Sequence, residues 1–250
     1  MTPAAFELDH VALGVRQIAE AAGFLVGELG GEEHGGGPGL GFRFFQWKFA
    51  GGGKIEILEP AGEPGGFLHR FLDRRGPGVH HVTFNVPNLE AAADHARRCG
   101  YEIIGWFDAD PSWRECFLHP KQAQGIVVQL AEENPRPPGQ EAPSPAEWPR
   151  PEIPPRPANV PSPMAFRALR LSARDAAASR RQWHETLGGE PHTLEDGAVE
   201  YRWADSPIRI VVELHPDADE GPVQIELGGE RDWPTEGVEA LGARFVRPAI

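Results

Sequence analysis

The chain has 250 residues, 40% hydrophobic and 24% charged, and its 37 acidic against 24 basic side chains give a formal net charge of −13. That length predicts one large or two medium domains, and the acidic balance sets the surface against phosphate backbones, so nucleic acid is not an expected partner. No run approaches the roughly 18 consecutive apolar residues of a membrane span, the N-terminus lacks the basic segment and apolar core of a signal peptide, and the two cysteines, Cys99 and Cys116, fit a reducing cytoplasm rather than a disulfide framework.

Taken in chain order, residues 8–15 alternate as a strand does. An alanine-rich helix is predicted over residues 17–28, ending at Leu29-Gly30-Gly31-Glu32. The glycine run over residues 35–41 lacks the lysine and helix start of a phosphate loop and reads as a lid or connector. Strands are predicted at residues 41–49 and 54–60. A short helix before Gly76 follows, carrying His69, Arg70, Arg74 and Arg75 as a solvent-facing basic edge. Residues 79–86 read as a strand, Asn88 caps a helix running to about Cys99, and strands follow at residues 101–107, 113–118 and 125–131. His119-Pro120-Lys121 reads as a solvated turn before the last of these.

Residues 132–163 hold 12 of the 26 prolines, and because proline fixes φ and removes backbone donors, this stretch is read as an extended linker. Beyond it the first pattern returns. Leu187-Gly188-Gly189-Glu190 repeats the earlier tetrapeptide after a helical stretch at residues 175–186, and strands at residues 198–204 and 209–216 follow. A strand at residues 223–227, a helix at residues 235–241 and a strand at residues 243–247 open one more copy, which lacks closing strands before Ile250. The domain organisation is therefore 1–131, linker 132–163, and an incomplete, degenerate copy at 164–250. The fold class is α+β. Paired βαβββ modules form a cupped mixed sheet with helices outside, followed by the partial copy. A truncated module leaves a sheet edge to be covered by the first domain or by a second subunit, in a homodimer.

Strand alternation separates two faces. His10 shares a face with Leu8, Ala12 and Gly14; Glu56 with Lys54 and Leu58; His81 with Val79, Thr83 and Asn85; Gln129 with Val127 and Ala131. His80 falls on the opposite, aliphatic face with Val82, Phe84 and Val86. Each strand thus offers one polar group on its non-helical face. Two imidazoles and a carboxylate suit one divalent ion (Zn, Ni, Co, Mn or Fe), with a glutamine carbonyl as a weaker fourth ligand. A lone strand histidine is more often a packed or hydrogen-bonded residue, and face parity alone leaves both readings open.

The pieces Leu8-Asp-His-Val-Ala-Leu13, Lys54-Ile-Glu-Ile-Leu-Glu-Pro60, Gly78-Val-His-His-Val82, Phe117-Leu-His-Pro-Lys121 and Gly125-Ile-Val-Val-Gln-Leu130 resemble the vicinal oxygen chelate superfamily. That superfamily includes glyoxalase I, methylmalonyl-CoA epimerase, extradiol dioxygenases and bleomycin-resistance proteins, and the N-terminal half looks most like the epimerases. The resemblance implies a glyoxalase-like cupped sheet around one metal, held by His10, Glu56, His81 and Gln129. It also marks a departure, because the epimerase pattern has an amide where Glu56 stands and a carboxylate where Gln129 stands. Its additional base glutamate has only Gln46 as a near isostere here. In the C-terminal half, Ala168, Val212 and Gln224 align with His10, Glu56 and His81, so that half is expected to be a non-catalytic scaffold.

Three functions follow. The first is a metal-dependent lyase, isomerase or epimerase acting on a small α-oxygenated carbonyl compound through a metal-stabilised enediolate, with Glu56 as ligand and base. The second is a non-haem Fe(II) extradiol-type dioxygenase, since two histidines and a carboxylate form its facial triad. The third is a drug-sequestering binding protein without chemistry, with Phe42, Phe44, Phe45, Trp47, Trp106 and Trp113 lining an aromatic pocket. Against that pocket stands the alternative that most of these rings are core packing.

Overall fold

The computed structural model describes residues 6–134 and 151–248. The first alternating run is β1 (Glu7–Gly14), and the helix after it is split: α1 (Ile18–Ala22) passes into a wider π-helical turn, Gly23–Glu28. The Leu29 N–H reaches back five residues to Phe24 O at 3.0 Å. The third module repeats this device, with α4 (Ala176–Arg180), a π-helical turn Arg181–Thr186, and a bond from Leu187 N to Gln182 O at 3.1 Å. The repeated tetrapeptide is a helix stop. Gly30 and Gly188 both sit at φ 73, in the left-handed region where glycine carries no steric penalty. The following glycines, Gly31 and Gly189, close back onto Leu25 O and Trp183 O at 2.8 Å.

The expected lid or connector is instead a strand, β2 (Glu32–Gly39), antiparallel to β3 (Phe42–Lys48). Its glycines are there for proximity, since a Cβ at Gly36 would lie 2.3 Å from Phe44 O. β4 (Lys54–Pro60) completes the first βαβββ module, and α2 (Phe67–Arg75) leads to the second. That module comprises β5 (Gly78–Asn85), α3 (Leu89–Arg98), β6 (Ile103–Asp110), β7 (Trp113–Leu118) and β8 (Val127–Glu133). Asn88 caps α3 as expected, its side chain accepting from Ala91 N at 2.7 Å.

The two modules share a further device. Arg43 and Arg114 face Glu59 and Glu132 across antiparallel strand pairs. These glutamates accept the first helical N–H of their modules, Ile18 N and Leu89 N, each at 2.7 Å. A carboxylate at a helix N-terminus also meets the positive end of the helix dipole.

After the linker come β9 (Ala165–Ala173), α4, β10 (Glu190–Thr193), β11 (Val199–Arg202) and β12 (Arg209–Leu214), then β13 (Gly221–Gly228), β14 (Val238–Ala240) and β15 (Ala243–Val246). The helix expected at residues 235–241 does not form. A turn at Gly237, φ 79, closes on Pro234 O, and Leu241 and Gly242, both at positive φ, make the tight turn that pairs β14 antiparallel with β15. The four residues between Gly237 and Gly242 are too few for a helix that could cross a sheet. Residues 151–164 form no helix or strand, as their prolines dictate, and the rest of the linker, residues 135–150, lies outside the described residues.

The strands form two mixed, curled sheets, one ordered β2-β3-β4-β1-β5-β8-β7-β6 and the other β10-β11-β12-β9-β13-β15-β14. The fold is the expected α+β assembly of paired βαβββ modules.

The chain divides into two compact units, each drawing on both sides of the linker. In the unit built from residues 1–9, 81–143 and 168–223, Phe84 meets Trp203 edge-on at 5.0 Å, and the Arg181 guanidinium lies 5.8 Å over the Tyr101 ring. There His95 at the end of α3 reaches Glu185 O at 2.9 Å. In the unit built from residues 10–80, 144–167 and 224–250, Phe24 packs edge-on against Phe245 at 4.8 Å and Trp233 at 6.4 Å. Gly242 lies so close to Pro77 that a Cβ on it would stand 1.9 Å from the Pro77 carbonyl oxygen.

Candidate metal centre

β1 and β4 run parallel, with His10 facing Lys54 and Ala12 facing Glu56, so His10 and Glu56 are diagonal neighbours on one face. His10 is 1% exposed and Glu56 7%. His10 Nε2 stands 3.5 Å from Glu56 Oε1, and Gln46, facing Glu56 from β3, donates its amide to the other carboxylate oxygen, Oε2, at 2.9 Å. Gln46 therefore fixes the carboxylate plane and turns Oε1 toward the imidazole. His81, on β5, is buried too, and His10, Glu56 and His81 each offer one ligand atom within 4.8 Å of the others.

Ligand atoms around one ion at ~2.0–2.2 Å lie about 3–3.5 Å apart, so modest side-chain rotation closes this set on a metal. The donors, two imidazole nitrogens and one carboxylate oxygen, suit zinc, nickel, cobalt, manganese or ferrous iron. Among the described residues this is the one cluster of three or more histidine, cysteine or acidic side chains with such spacing.

Gln129, the fourth expected residue, lies on β8 facing Thr83 on β5. Its Oε1 accepts from the Thr83 hydroxyl at 2.5 Å, and its Nε2 donates to Glu115 Oε2 at 2.6 Å. Trp113 Nε1 donates to the same Glu115 oxygen at 2.7 Å. A carboxylate only accepts, so Glu115 fixes which end of the Gln129 amide points toward Thr83. Sequence reasoning missed Glu115. The signal was present, because Phe117 faces Gln129 across β7 and β8 and Glu115, two residues away, shares its face.

His80 does not join the aliphatic face. Its ring lies against two phenylalanines of α2, Phe71 at 4.9 Å and Phe67 at 5.6 Å. Burial among these rings lowers its pKa from 6.5 to about 4, with the Glu56 charge opposing the shift, so it is neutral at neutral pH. The expected aromatic pocket divides as well. Trp47 is fully buried against Phe45 on the opposite face, while Phe42 and Phe44 pack with Phe71 over Ala12 and Leu58 on the Glu56 face. Cys116 plays no nucleophilic part, since burial pushes its thiol up to about 12.

In the second sheet, register places Arg209 opposite Ala168 and Val211 opposite Arg170, as Lys54 faces His10 and Glu56 faces Ala12. Val211, rather than Val212, therefore occupies the position of Glu56, because the third module's last strand carries one more residue before its proline. Glu200, facing Val211, is spanned by Arg202 and Arg209, and Arg170 pairs with Glu213 at 2.7 Å and Asp196 at 3.0 Å. Ion pairs stand on this face in place of ligands.

A family model described as the glyoxalase/bleomycin resistance protein/dioxygenase superfamily matches residues 9–117. The ethylmalonyl-CoA/methylmalonyl-CoA epimerase of Cereibacter sphaeroides is 31% identical over 135 residues, covering 49% of this chain and 95% of the relative. The mitochondrial methylmalonyl-CoA epimerase of Homo sapiens is 30% identical over 135 residues, covering 49% of this chain and 72% of the relative. Among solved structures, the methylmalonyl-CoA epimerase of Mycobacterium tuberculosis matches with a TM-score of 0.47 and 26% identity, covering 52% of this chain and 89% of that one. The chain belongs to the glyoxalase/bleomycin resistance protein/dioxygenase superfamily. Within it, the N-terminal half is similar to enzymes named as epimerases of acyl-CoA substrates. No helix among the described residues is long and apolar enough to cross a membrane.

Proposed function

We propose that the chain is a metal-dependent enzyme of the isomerase, epimerase or lyase type, acting on a small α-oxygenated carbonyl compound, thioesters included. The observation that carries this reading is the convergence of His10, Glu56 and His81, all buried, with ligand atoms within 4.8 Å. These three side chains would hold one divalent ion, with the Gln129 carbonyl as a fourth donor. When bound, such an ion supplies Lewis-acid stabilisation of negative charge developing on vicinal substrate oxygens. Glu56 takes the proton next to the carbonyl, with Gln46 steadying one of its oxygens while the other is presented. Burial excludes water and strengthens each charge interaction at the site. The C-terminal half, 164–250, serves as scaffold and the N-terminal half, 1–131, carries the chemistry. A soluble cytoplasmic location and a homodimer complete the reading.

The test has two parts. The purified protein should contain close to one equivalent of a divalent metal, and His81→Ala should lose it. Incubation in deuterium oxide with α-oxygenated acyl compounds should then show metal-dependent exchange at the α-carbon, abolished by Glu56→Gln. Full metal content in His81→Ala overturns the ligand assignment, and undiminished exchange in Glu56→Gln overturns the assignment of the base.

A further inference from the structure

One face of β3 and β4 grades from charged to apolar. Facing pairs run Lys48 with Lys54, Gln46 with Glu56, Phe44 with Leu58, and Phe42 with Pro60. Same-face positions along a strand are about 7 Å apart, so an aromatic surface begins one step from the Glu56 carboxylate. α2 continues it. Phe67 meets Phe42 edge-on at 5.6 Å, and Phe71 packs with Phe42 and Phe44 over Ala12 and Leu58.

These rings are more than the packing of α2 requires. The helix already buries Leu68 and Leu72 fully, whereas Phe42, Phe44 and Phe71 stay half-buried and Phe67 is 39% exposed. Leu40, in the turn into β3, is 58% exposed. Contiguous, incompletely covered apolar surface beside a reactive group is the usual mark of a ligand subsite. Its neighbour toward the sheet centre is a carboxylate, so the occupant is the part of a substrate that continues away from the reacting carbon.

We infer that Phe42, Phe44, Phe67 and Phe71 form a subsite for an aryl or branched-alkyl substituent of the substrate, which makes the substrate class α-oxygenated carbonyl compounds bearing such a group rather than a methyl or a charged one. The inference rests on the reading of Glu56 as the reacting carboxylate. An apolar group the size of a phenyl ring filling this surface strengthens binding at least ~10-fold over a methyl, which is about 1.4 kcal/mol.

The experiment compares mandelate with lactate, two α-hydroxy acids differing only in phenyl against methyl. Binding is titrated by calorimetry on the full chain, both nickel-loaded and chelator-stripped, with metal content measured on the same samples. Mandelate is expected to bind at least ~10-fold tighter. Phe44→Leu and Phe67→Ser should cut that ratio about fivefold while leaving metal content unchanged. Phe67→Ser, at an exposed position, tests the subsite without disturbing the core. Equal affinities, absent mandelate binding, or a ratio unmoved by both variants overturns the inference. A ratio that persists in protein unable to hold metal leaves the subsite standing while the metal reading falls.

Discussion

Gln46 offers the sharpest test of how the site is held. Its amide donates to Glu56 Oε2 at 2.9 Å. Gln46 is half-buried and Glu56 is 7% exposed, so water cannot fully replace that donor if it is lost. A hydrogen bond to a charged group contributes about 1.5–3 kcal/mol. Loss of an outer partner that orients a metal-binding side chain typically weakens metal binding about 10–100-fold, or ~1.4–2.7 kcal/mol. The two figures agree, and they set the expectation for Gln46→Leu, which keeps side-chain volume and removes the donor. Its metal dissociation constant should rise by about 10–100-fold in a chelator competition at neutral pH, with the thermal melt showing an intact fold. An increase smaller than about threefold in folded protein would refute the idea that Gln46 orients the carboxylate.

Two further predictions concern stability. His80 has a folded pKa of about 4 against its ordinary 6.5, so the unfolded chain binds more protons between those values. Stability should therefore be insensitive to this group above pH 6.5 and fall on acidification through the window down to about 4, by roughly 3 kcal/mol. His80→Phe should remove that part of the pH dependence in denaturant melts taken between pH 4 and 7. At Gly242, φ is 71 and a Cβ would meet Pro77 O at 1.9 Å. Gly242→Ala should thus cost at least ~2 kcal/mol and lower Tm by roughly 4–8 °C, and an unchanged Tm would show that the approach is not fixed.

Much of the sheet and part of the site were legible because strands have a strict period of two. Parity alone put His10, Glu56 and His81 on one face, and register bears out the diagonal relation of His10 and Glu56. Positions governed by tertiary contact were not legible. Glycine-rich β2 reads as a connector because its reason for being glycine is the approach of the Phe44 carbonyl. His80 was assigned to the aliphatic face, and only the placement of α2 shows why it sides with Phe67 and Phe71. Residues 235–241 look helical by composition, yet two turns at positive φ consume the segment. Val211 against Val212 is an alignment ambiguity of one residue that hydrogen-bond register alone resolves. Glu115 is not legible from alternation, which marks one polar group per strand, whereas Gln129 engages its partner two residues along the neighbouring strand.

The Arg–Glu pairs at the helix starts carry a consequence for how the sheet guards its chemistry. Glu59 lies three residues after Glu56, and Glu132 three after Gln129. Each pins its strand to the opening N–H of a helix. A one-residue slip would turn every site side chain to the wrong face, and these pins make such a slip unseat a helix at the same time. In the third module the equivalent position is Leu214, 45% exposed, and α4 is capped locally by Asp175 instead. The strand that carries no site group has no pin. Alignment tolerance and chemistry have gone together, so a carboxylate designed into the Val211 position would need its anchor at 214 restored before it could hold still.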